Sequence, residues 1–474
     1  CNRGSRTAVD ARGNVFLANR AFSSQGSITK IANLERDCVD INNNGVIETS
    51  GDYNENGVID MTVGAGEAQE YYAENDECIL WTRKPAYYED GTYESKGDGY
   101  YLPRALAIDA EGDIWLGNFN RYGFFEVNSD TGKIKRWVGM DVRPYGAVID
   151  GRGILWAPNS CCHQGQIQSF NTNDYRVPQD NGLWNAASST ARWEANQLHS
   201  IRTQPGNWQR GTYGVAIDQE NRVWLGNHGK NWNVGRYEPQ SDTWSQFGSD
   251  NMYTRGVTVD AAGTVWISAY PGSGQQGRIM GYDSNTGSRT TSIYMGNSGK
   301  APLGIGIGSS GKIWTANCTT NNLTALDPTT GAFGFYPNDV AGGSNLGGSL
   351  YTYSDFIGNL RATFTDPQGD YKEIIDGCFG PTVSSWDYLQ WNLTTQPAGS
   401  VAKFQVRVGD NPDGDDWSQW YPSEDTYYES SPASLNDVPT GNRFIQTRMV
   451  LVANESNQSP ILYSFSVART CQQQ

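Results

Sequence analysis

From Asp10 to Asp355 one pattern of apolar and polar positions recurs along the chain. Apolar residues alternate with others up to an Asp. Two residues follow, then Gly, any residue, an apolar residue, often Trp, and a short run ending in Asn. The copies read AVDARGNVFLAN at Asp10, AIDAEGDIWLGN at Asp109, VIDGRGILWAPN at Asp150, AIDQENRVWLGN at Asp218, TVDAAGTVWISA at Asp260 and GIGSSGKIWTAN around Gly308. A weaker copy, YSDFIGNLRA, centres on Asp355. The apolar residues before Asp predict a strand. Asp-x-x-Gly predicts a hairpin turn in which Asp caps backbone amides and Gly takes positive φ. The following strand carries Trp115, Trp156, Trp224, Trp266 or Trp314. One Trp per repeat is what stacked sheets need for packing, so these are read as core residues. Third strands follow with period-two alternation in SITKIAN, GQIQSFN, RIMGYDS and NLTALDP.

Neighbouring copies are 41 to 99 residues apart. The short steps match one four-stranded propeller blade, and the long ones must carry insertions. The expected fold is all-β: a six- to seven-bladed β-propeller over residues 1–348, seven blades preferred, with an insert at 37–78 in the first blade. The repeat then stops. KFQVRVG, RFIQTRMVLVA and ILYSFSVART continue as half-buried strands, punctuated by Trp386, Trp391, Trp417 and Trp420. Residues 349–474 are expected to form a β-sandwich.

The repeats resemble those of streptogramin-lyase-like and NHL-type propellers over roughly residues 5–345. The resemblance implies a fold. It leaves function open, because propellers host binding, scaffolding and catalytic members alike. The C-terminal region resembles accessory sandwich domains that follow propellers in secreted bacterial proteins. That implies binding of glycans or partner proteins.

The chain has 474 residues and 55 Gly, with Lys+Arg 35 against Asp+Glu 51, a net charge of −16. Such acidity argues against nucleic acid or anionic membrane as partner. No apolar run is long enough to span a membrane as a helix. Eight cysteines without a CxxC pair argue against zinc or thioredoxin chemistry and for an oxidising compartment. Cys38 and Cys78 bracket the insert, and Cys378 and Cys471 bracket most of the C-terminal region, so each pair is expected to be bonded. Cys1, Cys161, Cys162 and Cys318 are left unassigned. Cys1 reads either as the acylated residue of a bacterial lipoprotein or as an ordinary processed start. The expected location is extracellular or the bacterial outer surface.

The insert carries Asp40-Ile41-Asn42-Asn43-Asn44-Gly45-Val46-Ile47-Glu48. Twelve residues on comes Asp52-Tyr53-Asn54-Glu55-Asn56-Gly57-Val58-Ile59-Asp60. Both fit D-x-N-x-N-G-x-I-[D/E], and calcium wants six to eight hard oxygens around one point. The expected ligands are Asp40, Asn42, Asn44, the Val46 carbonyl and Glu48 in one loop. In the other they are Asp52, Asn54, Asn56, the Val58 carbonyl and Asp60. Position 12, where an EF-hand has Glu, is Gly51 or Val63. The loops therefore resemble dockerin or thrombospondin-type calcium repeats. The missing oxygen would come from Glu74, Asp76 or the other loop.

No complete catalytic site is legible. Only His163, His199 and His228 are neutral-pH bases. The lyase-like relatives carry His and Glu at the ends of second blade strands, where this chain has Asn19, Asn118, Asn159, Asn227 and Asn317. His228 follows one such strand end without an acidic partner. The run Gly272 to Gly277 matches GxGxxG but precedes a strand, not a helix, so it is discarded as a phosphate cradle. The first functional reading is a secreted or cell-surface, non-enzymatic binding or structural protein stabilised by calcium. Its partner would be glycan, protein or further copies of itself in an extracellular polymer. The alternative is a streptogramin-type lyase that opens a cyclic ester by elimination.

Overall fold

The computed structural model describes residues 4–10, 12–21, 24–54, 59–62, 64, 68–86, 100–159, 165–172, 201–203, 211–227, 229, 234–272, 275–308, 310–336, 350, 368–378, 383–412, 417–423, 426–452 and 459–471. The chain divides into two compact units, Cys1–Phe364 and Thr365–Gln474.

The first unit contains six four-stranded antiparallel sheets among the described residues, each a simple meander. The first comprises β1 (Gly4–Val9), β2 (Val15–Asn19), β3 (Ser27–Ile31) and β4 (Ile79–Arg83). The second runs through β5 (Pro103–Ile108), β6 (Ile114–Asn118), β7 (Gly123–Val127) and β8 (Ile134–Gly139). The third has β9 (Val148–Ile149), β10 (Ile154–Pro158), β11 (Gln166–Asn171) and β12 (Arg202–Thr203). The fourth has β13 (Thr212–Ile217), β14 (Val223–Asn227), β15 (Val234–Glu238) and β16 (Thr243–Phe247). The fifth has β17 (Tyr253–Val259), β18 (Thr264–Tyr270), β19 (Arg278–Asp283) and β20 (Arg289–Tyr294). The sixth has β21 (Pro302–Ile307), β22 (Ile313–Asn317), β23 (Asn322–Leu326) and β24 (Phe333–Tyr336).

First strands pack in succession: β1 beside β5, β5 beside β9, β9 beside β13, β13 beside β17 and β17 beside β21. This is the inner ring of a propeller. Burial falls off along each meander, from an almost wholly buried β21 to a largely exposed β24. The expected third strands are β3, β11, β19 and β23. The copy around Asp355 lies outside the described residues.

The repeat is held by one clasp. In the second sheet Asp109 Oδ1 accepts the amides of Glu111 (3.1 Å) and Asp113 (2.8 Å), which close the turn. Its Oδ2 accepts the indole N–H of Trp115 at 2.8 Å. The same indole bond joins Trp156 to Asp150 at 3.2 Å, Trp224 to Asp218 at 2.7 Å and Trp266 to Asp260 at 2.7 Å. Six residues separate the partners each time, because the turn folds the second strand back beside the first. The tryptophans then fill the space between sheets. Trp115 meets Phe170 of the next sheet at 5.1 Å, and Trp156 meets Tyr237 at 5.6 Å.

Two copies depart from the clasp. In the first, Phe16 replaces Trp, and the Asn14 amide donates to Asp10 Oδ2 at 3.0 Å in place of the indole. In the sixth, Gly308 replaces Asp. A Cβ there would lie 2.8 Å from Trp314 Nε1, so the indole occupies the room an Asp side chain needs.

In the second unit β25 (Gln368–Asp376), β29 (Phe444–Val452) and β27 (Val401–Gly409) form one sheet, with β29 central. The other contains β28 (Ala433–Ser434), β26 (Val383–Thr395) and β30 (Ile461–Cys471), with β26 central. One core joins them, drawn from Trp386, Leu389 and Trp391 on β26, Phe404 and Val406 on β27 and Ile445 on β29. Trp391 stacks on Phe404 at 4.5 Å. The Cys378–Cys471 disulfide ties a residue two positions after β25 to the last residue of β30. These two sheets are the expected sandwich. Arg407 lies over both Trp417 (5.2 Å) and Trp420 (4.6 Å). Those two tryptophans therefore cover a sheet face.

Two expectations follow. Asp260→Ala removes the acceptor of the Thr264 amide and the Trp266 indole, so it should cost about 2–4 kcal/mol in urea unfolding; Trp266→Phe, which leaves the Thr264 amide bonded, should cost less. Burial pushes the Asp109 carboxyl up to about 6, against the bonds from Trp115 and Asp113. The folded state then holds this proton more tightly than the unfolded chain. Stability linked to Asp109 should fall as pH rises from about 4 to about 6, and Asp109→Asn should flatten that slope in urea titrations.

Candidate metal loops and the inner-strand end

The insert lies between β3 and β4, and Cys38–Cys78 closes it at its base. Residues 34–78 hold twelve acidic side chains against one basic, Arg36, a net −11. Two buried glutamates organise them. Glu77 Oε1 accepts the amides of Ile41 (2.8 Å) and Asn42 (3.4 Å), and its Oε2 accepts that of Glu48 (2.9 Å). Glu70 Oε1 accepts the amides of Tyr53 (3.0 Å) and Asn54 (2.9 Å), and its Oε2 accepts that of Asp60 (2.9 Å). These are loop positions 2, 3 and 9 in both cases, so the two loops are clamped identically. Glu77 and Glu70 are 1% and 3% exposed.

Within the first loop, Asp40 accepts the amides of Asn44 and Gly45, at 3.2 and 2.8 Å. The Asn42 side-chain amide donates to Glu48 Oε2 at 2.5 Å. In the second loop Asn54 donates to Asp60 Oδ2 at 3.4 Å, the same pair of positions. Positions 3 and 9 thus face each other in both loops. Asn56 and Val58 lie outside the described residues. Asp76 accepts from Thr49 Oγ1, the Ser50 amide and the Cys78 amide, which ties the end of the first loop to the disulfide. Burial works against the Asp76 carboxylate, but these bonds outweigh it and hold its pKa low. The sequence offers Glu74, Asp76 or the other loop for the missing ligand oxygen. The residues that clamp the loop backbones are Glu70 and Glu77, 18 residues after Asp52 and 37 after Asp40, and no shared spacing marks them.

A second acidic group, Asp109, Asp113 and Glu126, is buried in the second sheet. Lys135 Nζ bonds Asp113 at 2.6 Å and approaches Glu126 at 3.3 Å, and Arg136 pairs with Glu126. Burial disfavours the Lys135 ammonium, but those carboxylates outweigh it and raise its pKa. Two cations already pair with Asp113 and Glu126, so the group is read as an ion-pair cluster.

The second strands end beside the starts of the first strands, as in the pairings Pro103 with Asn118, Thr212 with Asn227 and Pro302 with Asn317. The strand-end asparagines bond locally. Asn118 donates to the Leu116 carbonyl, Asn159 accepts the Arg143 amide and Asn227 accepts the Gly229 amide. Asn19 bonds Ser27 and Thr29, and Asn317 bonds Asn322 and Thr324, all on third strands. His163, His199 and His228 lie outside the described residues, as do Cys1, Cys161 and Cys162. Cys318 is free, and burial raises its thiol pKa against the pull of Arg20, which disfavours a reactive thiolate.

At the same end, inner strands carry arginine and tyrosine. Pairing with the second strand skips a residue or two at Ser5, Arg104, Tyr213–Gly214, Arg255–Gly256 and Leu303–Gly304. Each break falls about five residues before the turn position of its repeat. Glycine lets the strands close up there, since a Cβ on Gly214 would lie 2.4 Å from the Arg255 carbonyl oxygen. Arg104 lies 4.4 Å over Tyr145, Tyr145 meets Tyr213 at 5.1 Å, and Arg255 lies 4.4 Å over Tyr213. Arg6 donates to the carbonyls of Arg104 and Tyr145.

No protein-family model and no curated protein sequence matches this chain. Solved structures give weak likenesses. Virginiamycin B lyase from Staphylococcus aureus shares 14% identity, covering 72% of this chain and 86% of the lyase, with a TM-score of 0.45. Kuenenia stuttgartiensis hydrazine synthase shares 10% over 69% and 77%, with a TM-score of 0.45. A nidogen/laminin complex shares 11% over 66% and 90%, with a TM-score of 0.38. Likenesses at this level carry no argument about activity, ligand or partner.

Proposed function

We propose that this chain is a secreted or surface-located, non-enzymatic propeller protein whose insert binds calcium and is ordered by it. The observation that carries the reading is the duplicate clamp: Glu77 and Glu70 hold the same three backbone positions of two tandem loops. The side chains at loop positions 1, 3, 5 and 9 are hard oxygen donors throughout, which suits calcium. Asp40, Asn42, Asn44 and Glu48, with the Val46 carbonyl, would hold one ion. Asp52, Asn54, Asn56 and Asp60, with the Val58 carbonyl, would hold the other. The ions would supply positive charge to a segment with a net −11. The two disulfides support maturation outside a reducing cytosol. Among the described residues no helix is long and apolar enough to cross a membrane.

The insert also exposes Val39 (55%), Ile41 (59%), Val46 (62%) and Met61 (74%). Exposed apolar side chains gathered in one short segment support a contact role. The partner is then glycan, protein or a second copy. The elimination reading has weaker support. Five of the six described strand ends that would carry its acid hold asparagines engaged with their own sheets, save where Asn159 also holds the amide of Arg143 in the preceding connection; the other runs Ser268-Ala269-Tyr270.

The full chain should melt at a higher temperature in millimolar calcium than after chelation. For a site of about 10⁻⁴–10⁻³ M, the gain is about 1–2 kcal/mol per ion at a few millimolar. Glu77→Gln and Glu70→Gln should each reduce that gain by about half, because each loosens one loop. Equal melting curves with calcium and with chelator would remove the calcium reading. Incubation with a streptogramin B antibiotic should leave the cyclic ester intact; linear product in mass spectra would restore the lyase reading.

A further inference from the structure

We propose that the layer of inner strands around Arg255 is a binding site for a small oxyanion, a carboxylate or a tetrahedral sulfate- or phosphate-type group. The argument starts from the cost of a buried guanidinium. Arg255 is 7% exposed. Its Nε donates to Tyr270 Oη at 3.0 Å. Its second donor nitrogen, Nη1, is buried and bonds nothing. Among the described residues no carboxylate pairs with it. An unpaired buried cation costs several kcal/mol, which ring faces only partly offset. Three rings supply such faces: Tyr213 at 4.4 Å, Tyr253 at 5.1 Å and Tyr270 at 5.5 Å.

The arginine is presented by the bulge in β17, not by an ordinary strand position. Arg104 occupies the same place in β5. The Tyr145–Tyr213 contact joins the two, so the guanidinium groups belong to one arginine–tyrosine layer. The guanidinium groups supply donors only, and a tyrosine hydroxyl that accepts from one keeps its own O–H to donate. A lining of these donors selects anions, and the planar fork of arginine matches two oxygens of one group. Tyr253 is only partly buried, which leaves the layer a side facing solvent. The near-complete burial of Arg255 limits the ligand to a small ion or to the anionic end of a larger molecule. The site is separate from the calcium loops, so it stands whether or not calcium binds.

The test is thermal unfolding of the full chain in calcium, titrated with low-millimolar sodium sulfate or sodium acetate at ionic strength matched with chloride. Low concentrations keep general salt effects small. The expected result is a saturable rise in melting temperature with at least one anion. Preference for sulfate or acetate distinguishes a tetrahedral from a planar ligand. Arg255→Met should lose the rise, and Arg255→Lys should bind about tenfold or more weakly. Arg278→Met, which removes an arginine bonded to Ser292 on the fifth sheet, should keep it. No saturable rise in the wild type overturns the proposal, and so does an undiminished rise in either Arg255 variant. If Arg255→Met does not fold, calorimetric titration of the wild type and Arg255→Lys with the same anions decides the question on the same terms.

Discussion

The propeller depends on a carboxylate shared between a turn and an indole. One oxygen of each repeat Asp holds the amides that reverse the chain. In four of the repeats the other holds the Trp that the reversed chain brings back, six residues later. The bond fixes the turn and orients the ring in one step. A tryptophan so oriented presents its face to the next sheet, and successive sheets stack on those faces. The interaction is short-range in sequence, so each sheet sets its own packing surface before its neighbour arrives. The departures obey the same accounting. Where Trp is missing, Asn14 supplies the donor; where Asp is missing, Gly308 gives the indole room.

That locality explains what was legible in the sequence. Asp, Gly and Trp recur at fixed offsets, so the turns, strand order and buried rings could be read directly. Cys38–Cys78 and Cys378–Cys471 were legible because each pair brackets a segment. The glutamate clamps were not, since Glu77 lies 36 residues from Ile41 and no local pattern marks it. Nor was the arginine–tyrosine layer. Its residues stand at a constant distance before the turn, but their types vary among Ser, Arg, Tyr and Leu. Hydrophobic alternation treats that position as one more strand residue. Only the repeated break in pairing shows that it is set apart.

Chemistry is placed where the repeat is relaxed. The regular sheets carry packing and little else. Twelve acidic residues gather in an insert between two strands of the first sheet, where a loop closed by a disulfide leaves the meander intact. The basic group at the inner-strand end uses a bulge, the one point at which an inner strand turns a side chain out of its alternation. Acidic and basic features are thereby kept apart in the sequence, each on a device the scaffold tolerates.

The central claim is that the tandem loops are calcium sites, two per chain. Chelator-dialysed protein, re-equilibrated with micromolar to millimolar calcium, should be titrated calorimetrically to saturation with the disulfides intact. Two ions per chain, falling to one in Glu77→Gln and in Glu70→Gln separately, is the predicted result. No binding heat, or a stoichiometry unchanged in both variants, would contradict the account.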